Sequence, residues 1–240
     1  MNTSLLIAKP GGSPKFPGSF FGDLSAVLFD LDGTLVDSAP DLAGAANEMR
    51  AARGLNALAY EQLRPMVGTG ARGMLSVALQ ITPEHADFEV MKNEFLDRYE
   101  SRMLQETRLF AEVGGMLDRL TSAGLGWGIV TNKAERFALP LMRALGLYDR
   151  ALAVVGGDTT PHTKPHPGPL LEAARRAGLA PKHCIYVGDD ERDILAGRAA
   201  GMRTVAAAWG YLGCGQPVEA WQADIVLSSP ADLLKALDLV

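Results

Sequence analysis

Residues 26–34 read Ala26-Val27-Leu28-Phe29-Asp30-Leu31-Asp32-Gly33-Thr34. The four leading apolar residues predict a short buried strand, and Gly33 allows the backbone to turn just beyond it. Two carboxylates, two residues apart, therefore stand where that strand ends. Charge at such a place is unfavourable unless a metal, a partner charge or a substrate compensates it. In open α/β sheets the carboxyl edge of the strands is also where ligands bind. The stretch thus puts acid chemistry where an α/β fold keeps its functional site.

Further along the chain, short apolar runs recur at Ala151–Val155, Cys184–Val187, Trp127–Val130, Thr204–Ala207 and Ile225–Leu227. Between them Glu112–Ala123, Ala134–Leu145, Pro167–Ala177 and Arg192–Ala200 carry apolar residues at helical spacing. Alternating strands and helices predict βαβ units, hence an α/β fold with a parallel sheet covered on both faces. Gly124, Gly146, Gly178 and Gly201 stand where helices should stop. The stretch from about Asp41 to Phe110 breaks the rhythm and holds no convincing strand. Leu42–Ala52 and Gly70–Leu79 read as helices there. Phe88, Met91, Phe95, Tyr99 and Met103 form one apolar stripe on a longer helix. This run is too long for one crossover helix and predicts a helical insert, or cap, over residues 41–110. The core then comprises residues 24–40 and 111–240. An insert entering just past Asp30 and Asp32 hangs over the carboxyl edge as a lid. Residues 1–23, rich in proline and glycine, read as a flexible tail.

Three more polar signals end or follow apolar runs. Thr131-Asn132-Lys133 follows Val130, Gly188-Asp189-Asp190 follows Val187, and Lys164 lies in the loop after Val155. Taken singly each has a plain reading: Thr131-Asn132 and Asp189-Asp190 as helix caps, Lys164 as an exposed loop lysine. Parallel strands would bring all of them to one edge, and it is the convergence that argues for function. The combined set suits a phosphate monoester held with Mg²⁺, because hard oxygen ligands select that ion and it bridges to phosphate. Lys164 supplies a point cation and Thr131 a hydroxyl donor. An aspartate nucleophile would split hydrolysis into two easier steps, with a second carboxyl moving the proton. Asp30-x-Asp32-Gly33 is not an EF-hand loop, since the glycine comes fourth rather than sixth.

Asp30-Leu31-Asp32-Gly33-Thr34-Leu35 resembles the first motif of the haloacid dehalogenase superfamily phosphatases. Thr131-Asn132-Lys133, Lys164 and Gly188-Asp189-Asp190-x-x-Asp193 resemble the second, third and fourth motifs, in the same order. The resemblance extends over about residues 25–238. It implies a doubly wound, mostly parallel Rossmann-like core with a helical C1-type cap inserted after the first strand. Within the superfamily the chain is most similar to the phosphoglycolate phosphatase group and to the related N-acetylmuramic acid 6-phosphate phosphatases. By that resemblance Asp30 is the nucleophile and Asp32 the general acid/base. Asp30 and Asp189 would bind Mg²⁺ through carboxylates, and Asp32 through its main-chain carbonyl. Thr131, Asn132 and Lys164 would hold the phosphoryl group, with Asp190 and Asp193 supporting the metal or Lys164. The substrate expected is a small phosphorylated metabolite, 2-phosphoglycolate first and N-acetylmuramic acid 6-phosphate or another sugar phosphate next. A sugar-phosphate mutase would use the same core, and a phosphate-binding module without turnover is the alternative of another class. In the cap, Val67-Gly68-Thr69-Gly70-Ala71-Arg72-Gly73 offers Arg72 as a bidentate partner for a substrate carboxylate.

The rest of the composition narrows the partners. The chain has 240 residues and a net charge of −5, with no long basic cluster. Nucleic acid and anionic membranes are therefore not expected partners. The two cysteines, Cys184 and Cys214, imply no disulfide framework and fit a reducing cytoplasm. Ser4–Ala8 is too short for a signal or spanning segment. The four histidines show no zinc spacing and read as surface or structural. A monomer or a homodimer is expected.

Overall fold

Val27 and Phe29 point to one face of their strand and Ala26 and Leu28 to the other, and all four are fully buried. A strand apolar on both faces must lie inside a sheet with a helical layer on each side. The computed structural model, which describes residues 23–240, places it there. The tail expectation for residues 1–23 falls almost wholly outside the described residues.

In chain order the elements are β1 (Ala26–Phe29), β2 (Val36–Asp37), α1 (Ala39–Ala51), α2 (Tyr60–Leu63), α3 (Gly70–Leu79), α4 (Phe88–Arg102) and β3 (Arg108–Leu109). There follow α5 (Val113–Ser122), β4 (Gly126–Val130), α6 (Glu135–Ala144), β5 (Val154–Val155), α7 (Gly168–Ala177) and β6 (Cys184–Gly188). The chain closes with α8 (Glu191–Ala199), β7 (Arg203–Ala207), β8 (Ile225–Leu227) and α9 (Pro230–Ala236). The main sheet has six strands in the order β5-β4-β1-β6-β7-β8, and every pair is parallel. From β1 the chain winds first outward through β4 and β5, then returns to the other side through β6, β7 and β8. The sheet is thus doubly wound, and its switch point is the carboxyl end of β1. Phe29 is in register with Ile129 on one side and Val187 on the other. That register brings Asp30, Thr131 and Asp189 out at the same edge.

Each face has its own core. Val27, Phe29, Trp127 and Ile129 pack with Leu117 and Leu120 of α5 and Leu141 of α6. Ala26, Leu28 and Tyr186 pack with Leu170 of α7 and Ala196 of α8. Burying each such large side chain contributes about 1.5–3 kcal/mol. The four expected glycine stops all lie at left-handed φ: Gly124 at 79°, Gly146 at 68°, Gly178 at 70° and Gly201 at 74°. The expected strand over 151–155 shortens to Val154–Val155 at the sheet edge. Helix α9 was not anticipated, although Ser229 before Pro230 caps it by accepting from the Asp232 amide at 3.3 Å.

The cap consists of α1, α2, a 3-10 turn over Arg64–Thr69, α3 and α4. Its own cluster buries Leu42, Met49, Met74, Phe95 and Tyr99, with Phe137 and Tyr211 entering from the core. The stripe foreseen on α4 faces this cluster. One correction applies: the segment expected to lack strands contains β3, which pairs antiparallel with β2 at the cap's base. A two-residue ribbon is too short to leave a sequence pattern. At the same place Asp41, fully buried, accepts from Glu106 N at 3.0 Å and from Thr107 N at 2.9 Å, pinning α1 to the exit of the cap.

Candidate active site

Beyond the last residue of β1 the ladder continues for one bond, Asp30 N donating to the Val187 carbonyl at 2.9 Å. The chain then turns at Gly33, whose φ of 89° suits a residue without Cβ. A Cβ on Gly33 would also overlap the Asp189 carboxylate. The turn and the end of β6 therefore pack directly against each other, and Asp189 is held from both sides. Thr34 Oγ1 donates to its Oδ1 at 2.8 Å and the Tyr211 amide to its Oδ2 at 2.8 Å.

One oxygen each of Asp30, Asp189 and Asp193 lies within 4.8 Å of the others. Lys164 Nζ stands among them, 2.9 Å from Asp30 Oδ1 and 2.7 Å from Asp193 Oδ1. It also donates to the Val130 carbonyl at 3.1 Å and to the Tyr186 hydroxyl at 2.8 Å. Burial alone would lower its pKa, but Asp193 and Asp30 outweigh burial and raise it, so the ammonium persists. Asp30 Oδ1 is buried, has Lys164 Nζ as its ion-pair partner and makes no hydrogen bond among the described residues. Burial, then Asp30 and Asp193, push Asp189 well above the usual carboxylate range. Burial, with Asp30 adding and Lys164 opposing, pushes Asp193 to about 7. Three converging carboxylates with one ammonium leave negative charge uncompensated in a buried place. All-oxygen donors of this kind fit Mg²⁺.

Asp32 lies apart from that cluster. Lys133 Nζ donates to both its oxygens, at 3.0 and 3.1 Å, and Ser38 Oγ donates to Oδ1. Lys133 lies over the Tyr99 ring of α4, 4.6 Å from its centroid, so it joins Asp32 to the cap. Thr131 is 3% exposed, and its hydroxyl accepts from Lys133 N at 3.1 Å. It does not cap α6, since that role falls to Asp158, whose Oδ1 accepts from Glu135 N at 2.8 Å. Asn132 clamps the Lys164 main chain, donating to its carbonyl at 3.0 Å and accepting from its amide at 2.9 Å. The Asn132 carbonyl oxygen and one of its amide hydrogens are engaged there, and the residue also lines the cavity above it. Asp190 caps α8, accepting from Arg192 N at 2.9 Å, while its own amide donates to Asp193 Oδ2 at 3.1 Å.

A cavity of about 320 Å³ opens between core and cap, lined by Asp30, Asp32, Thr131, Lys164 and Asp189 from below. Leu42, Val67, Gly68, Phe95 and Tyr99 line it from the cap. Arg72 is exposed and does not line this cavity; its nearby opposite charge is Glu84. Sequence reading missed Lys133, Tyr186, Arg192 and Tyr211. Tyr186, a polar residue inside an apolar run, was the one with a visible signal.

The family model for haloacid dehalogenase-like hydrolase matches residues 27–207. The chain belongs to this family. Among the haloacid dehalogenase-like hydrolases it is 52% identical over 209 residues to a phosphoglycolate phosphatase of Xanthomonas campestris pv. campestris, covering 87% of this chain and 94% of that protein. It is 40% identical over 215 residues to an N-acetylmuramic acid 6-phosphate phosphatase of Pseudomonas aeruginosa, covering 90% and 95%. The crystal structure of a predicted phosphoglycolate phosphatase from Haemophilus somnus superposes with a TM-score of 0.78 at 30% identity, covering 88% of this chain and 97% of that one. The matched range includes Asp30, Thr131, Lys164 and Asp189, and the chain is a phosphoric monoester hydrolase. Among the described residues no helix is long and apolar enough to cross a membrane.

Proposed function

We propose that this hydrolase is an Mg²⁺-dependent phosphatase acting on 2-phosphoglycolate through an aspartyl-phosphate on Asp30. The observation that carries the reading is the convergence of Asp30, Asp189 and Asp193 around Lys164, beside Thr131, at the floor of a capped cavity. The carboxylates of Asp30, Asp189 and Asp193, with the Asp32 main-chain carbonyl, would hold Mg²⁺, which supplies positive charge against a phosphate dianion.

Lys164 and Thr131 bind the phosphoryl oxygens, one by charge and one by a hydroxyl donor. An Asp30 carboxylate oxygen attacks phosphorus, and the bond from phosphorus to the leaving oxygen breaks. Asp32, carrying a proton, gives it to that oxygen as the alcohol departs. In the second half Asp32 takes a proton from water, whose oxygen attacks the same phosphorus; phosphate leaves and Asp30 is regenerated. Lys133 and Ser38 keep the Asp32 carboxyl in one place for both transfers. The cap closes over the cavity and excludes bulk water.

The substrate rests on the relative sharing 52% identity. N-acetylmuramic acid 6-phosphate is the second reading, from the relative at 40%. Both compounds carry a carboxylate besides the phosphate. The test is a panel of phosphate monoesters with Mg²⁺, ranked by kcat/KM. The expected order places 2-phosphoglycolate first, and another ester in first place overturns the assignment. Asp30→Asn is expected to reduce turnover to background with the fold intact. A wild type no faster than Asp30→Asn would favour a phosphate-binding module instead.

A further inference from the structure

Three cations line the cavity: Lys164, Lys133 and Arg192. The first two have their donors engaged. Lys164 is taken by Asp30, Asp193, Val130 and Tyr186, and Lys133 by Asp32. Arg192, on the first turn of α8, is different. Its Nε and Nη2 grip the two oxygens of Asp190 at 2.7 Å each, and Nη2 also donates to the Gly68 carbonyl of the cap. Its Nη1, with two donors, has no hydrogen-bond partner among the described residues. The side chain is 36% exposed, so a ligand can reach it.

The surroundings give that open end a purpose. The cap residues that line the cavity include Leu42, Val67, Phe95 and Leu96 and carry no charge. A leaving group bearing an anion would find one open guanidinium end there, and Arg72 stands outside. The grip on Asp190 also fixes the guanidinium plane before any ligand arrives. A guanidinium held in place beforehand loses less freedom on binding, and its Nη1 can give a carboxylate oxygen a charge-assisted hydrogen bond.

We propose that Arg192 is the specificity-determining residue of this phosphatase, receiving through Nη1 a carboxylate on the leaving group, so that its substrates are phosphate monoesters of small hydroxy acids. The assignment rests on the reading above, in which the phosphate sits at Asp30, Thr131 and Lys164. Without Arg192 the Asp190 carboxylate would face the cavity with no cation and would repel an anionic leaving group. The loss must therefore fall on charged esters more than on neutral ones.

The experiment compares 2-phosphoglycolate with ethyl phosphate, in which a methyl replaces the carboxylate, on the Mg²⁺-loaded enzyme. For each protein the ratio of the two kcat/KM values is read, which does not depend on the fraction of active molecules. Wild type is expected to favour 2-phosphoglycolate, and Arg192→Gln to lower the ratio by about tenfold or more, chiefly through KM. Arg192→Lys, which keeps the charge, is expected to recover part of it. Arg192→Gln is also made in an Asp190→Asn background, which leaves no unpaired carboxylate to repel the charged ester; there a purely structural Arg192, acting as a tie to Gly68, would depress both esters equally and leave the ratio unchanged. That result, with the wild-type preference intact, overturns the assignment of Arg192 alone. A wild type with no preference for 2-phosphoglycolate overturns the substrate reading itself, and the assignment with it.

Discussion

Asp32 and Asp30 are two residues apart, yet their surroundings divide them. Asp30 faces Asp189, Asp193 and Lys164, whereas Asp32 faces Lys133 and Ser38. Lys133→Met keeps much of the stem's bulk but leaves the Asp32 carboxyl without its cation. We expect kcat on 2-phosphoglycolate to fall by about tenfold or more, since positioned acid–base catalysis contributes about 10²–10⁴-fold. An unchanged kcat would show that Lys133 only fills space beneath Tyr99. Asp30, Thr131, Lys164 and Asp189 were legible as candidates because each interrupts or follows an apolar run. Lys133 stood in plain view beside Thr131, but nothing local says that it reaches a carboxylate 101 residues away. Arg192 occupies a variable place inside a motif, and only the folded cavity shows that it faces inward while Arg72 faces out.

At the scale of elements, α1 is begun by a residue from elsewhere in the chain. Ser38, its N-cap, donates its hydroxyl to Asp32 and makes no side-chain cap. The amides of Ser38 and Ala39 donate instead to the Tyr211 hydroxyl, at 2.8 and 3.1 Å, and that hydroxyl lies 3.0 Å from Asp37 Oδ1. Tyr211→Phe would preserve the ring, which stacks under Arg64 of the cap at 5.0 Å. It would leave the Ser38 amide without its acceptor, whereas the Ala39 amide keeps Asp37 Oδ1 at 3.3 Å. The expected loss is about 1–3 kcal/mol by urea unfolding, and an unshifted midpoint would contradict it. Strand and helix periods were readable for the core, and so were the glycine stops. What could not be read is the seam between cap and core, built from Tyr211, Arg64, Asp41 and the two-residue strands β2 and β3. Its contacts join positions up to 175 residues apart and follow no period.

For the whole molecule, the buried acids set how stability varies with pH. Asp189 and Asp193 are raised by burial and neighbouring carboxylates, Asp193 to about 7. The folded chain thus binds protons that the unfolded chain releases from about pH 4, the ordinary aspartate value. Bound protons exceed those of the unfolded state, so this group's contribution falls as pH rises from about 4 through 7. A divalent cation among the carboxylates offsets that loss. Mg²⁺ is therefore expected to raise Tm, and to raise it more at pH 8 than at pH 5. Thermal melts at both pH values, with and without Mg²⁺, check it; an equal or smaller gain at pH 8 would count against the cluster as the ion's site. The sheet order also carries a consequence for synthesis. Strand β1 is centrally placed, and its two neighbours begin at Gly126 and Cys184. A ribosome therefore releases the strand that leads to Asp30 well before its partners: neither of its edges can be closed until some hundred residues later, and the second only once β6, which leads into Asp189, has emerged. During that interval Ala26–Phe29 is an apolar segment with open hydrogen-bonding edges, the kind of surface that chaperones exist to shield. The cap helices, whose contacts are mostly local, can form meanwhile.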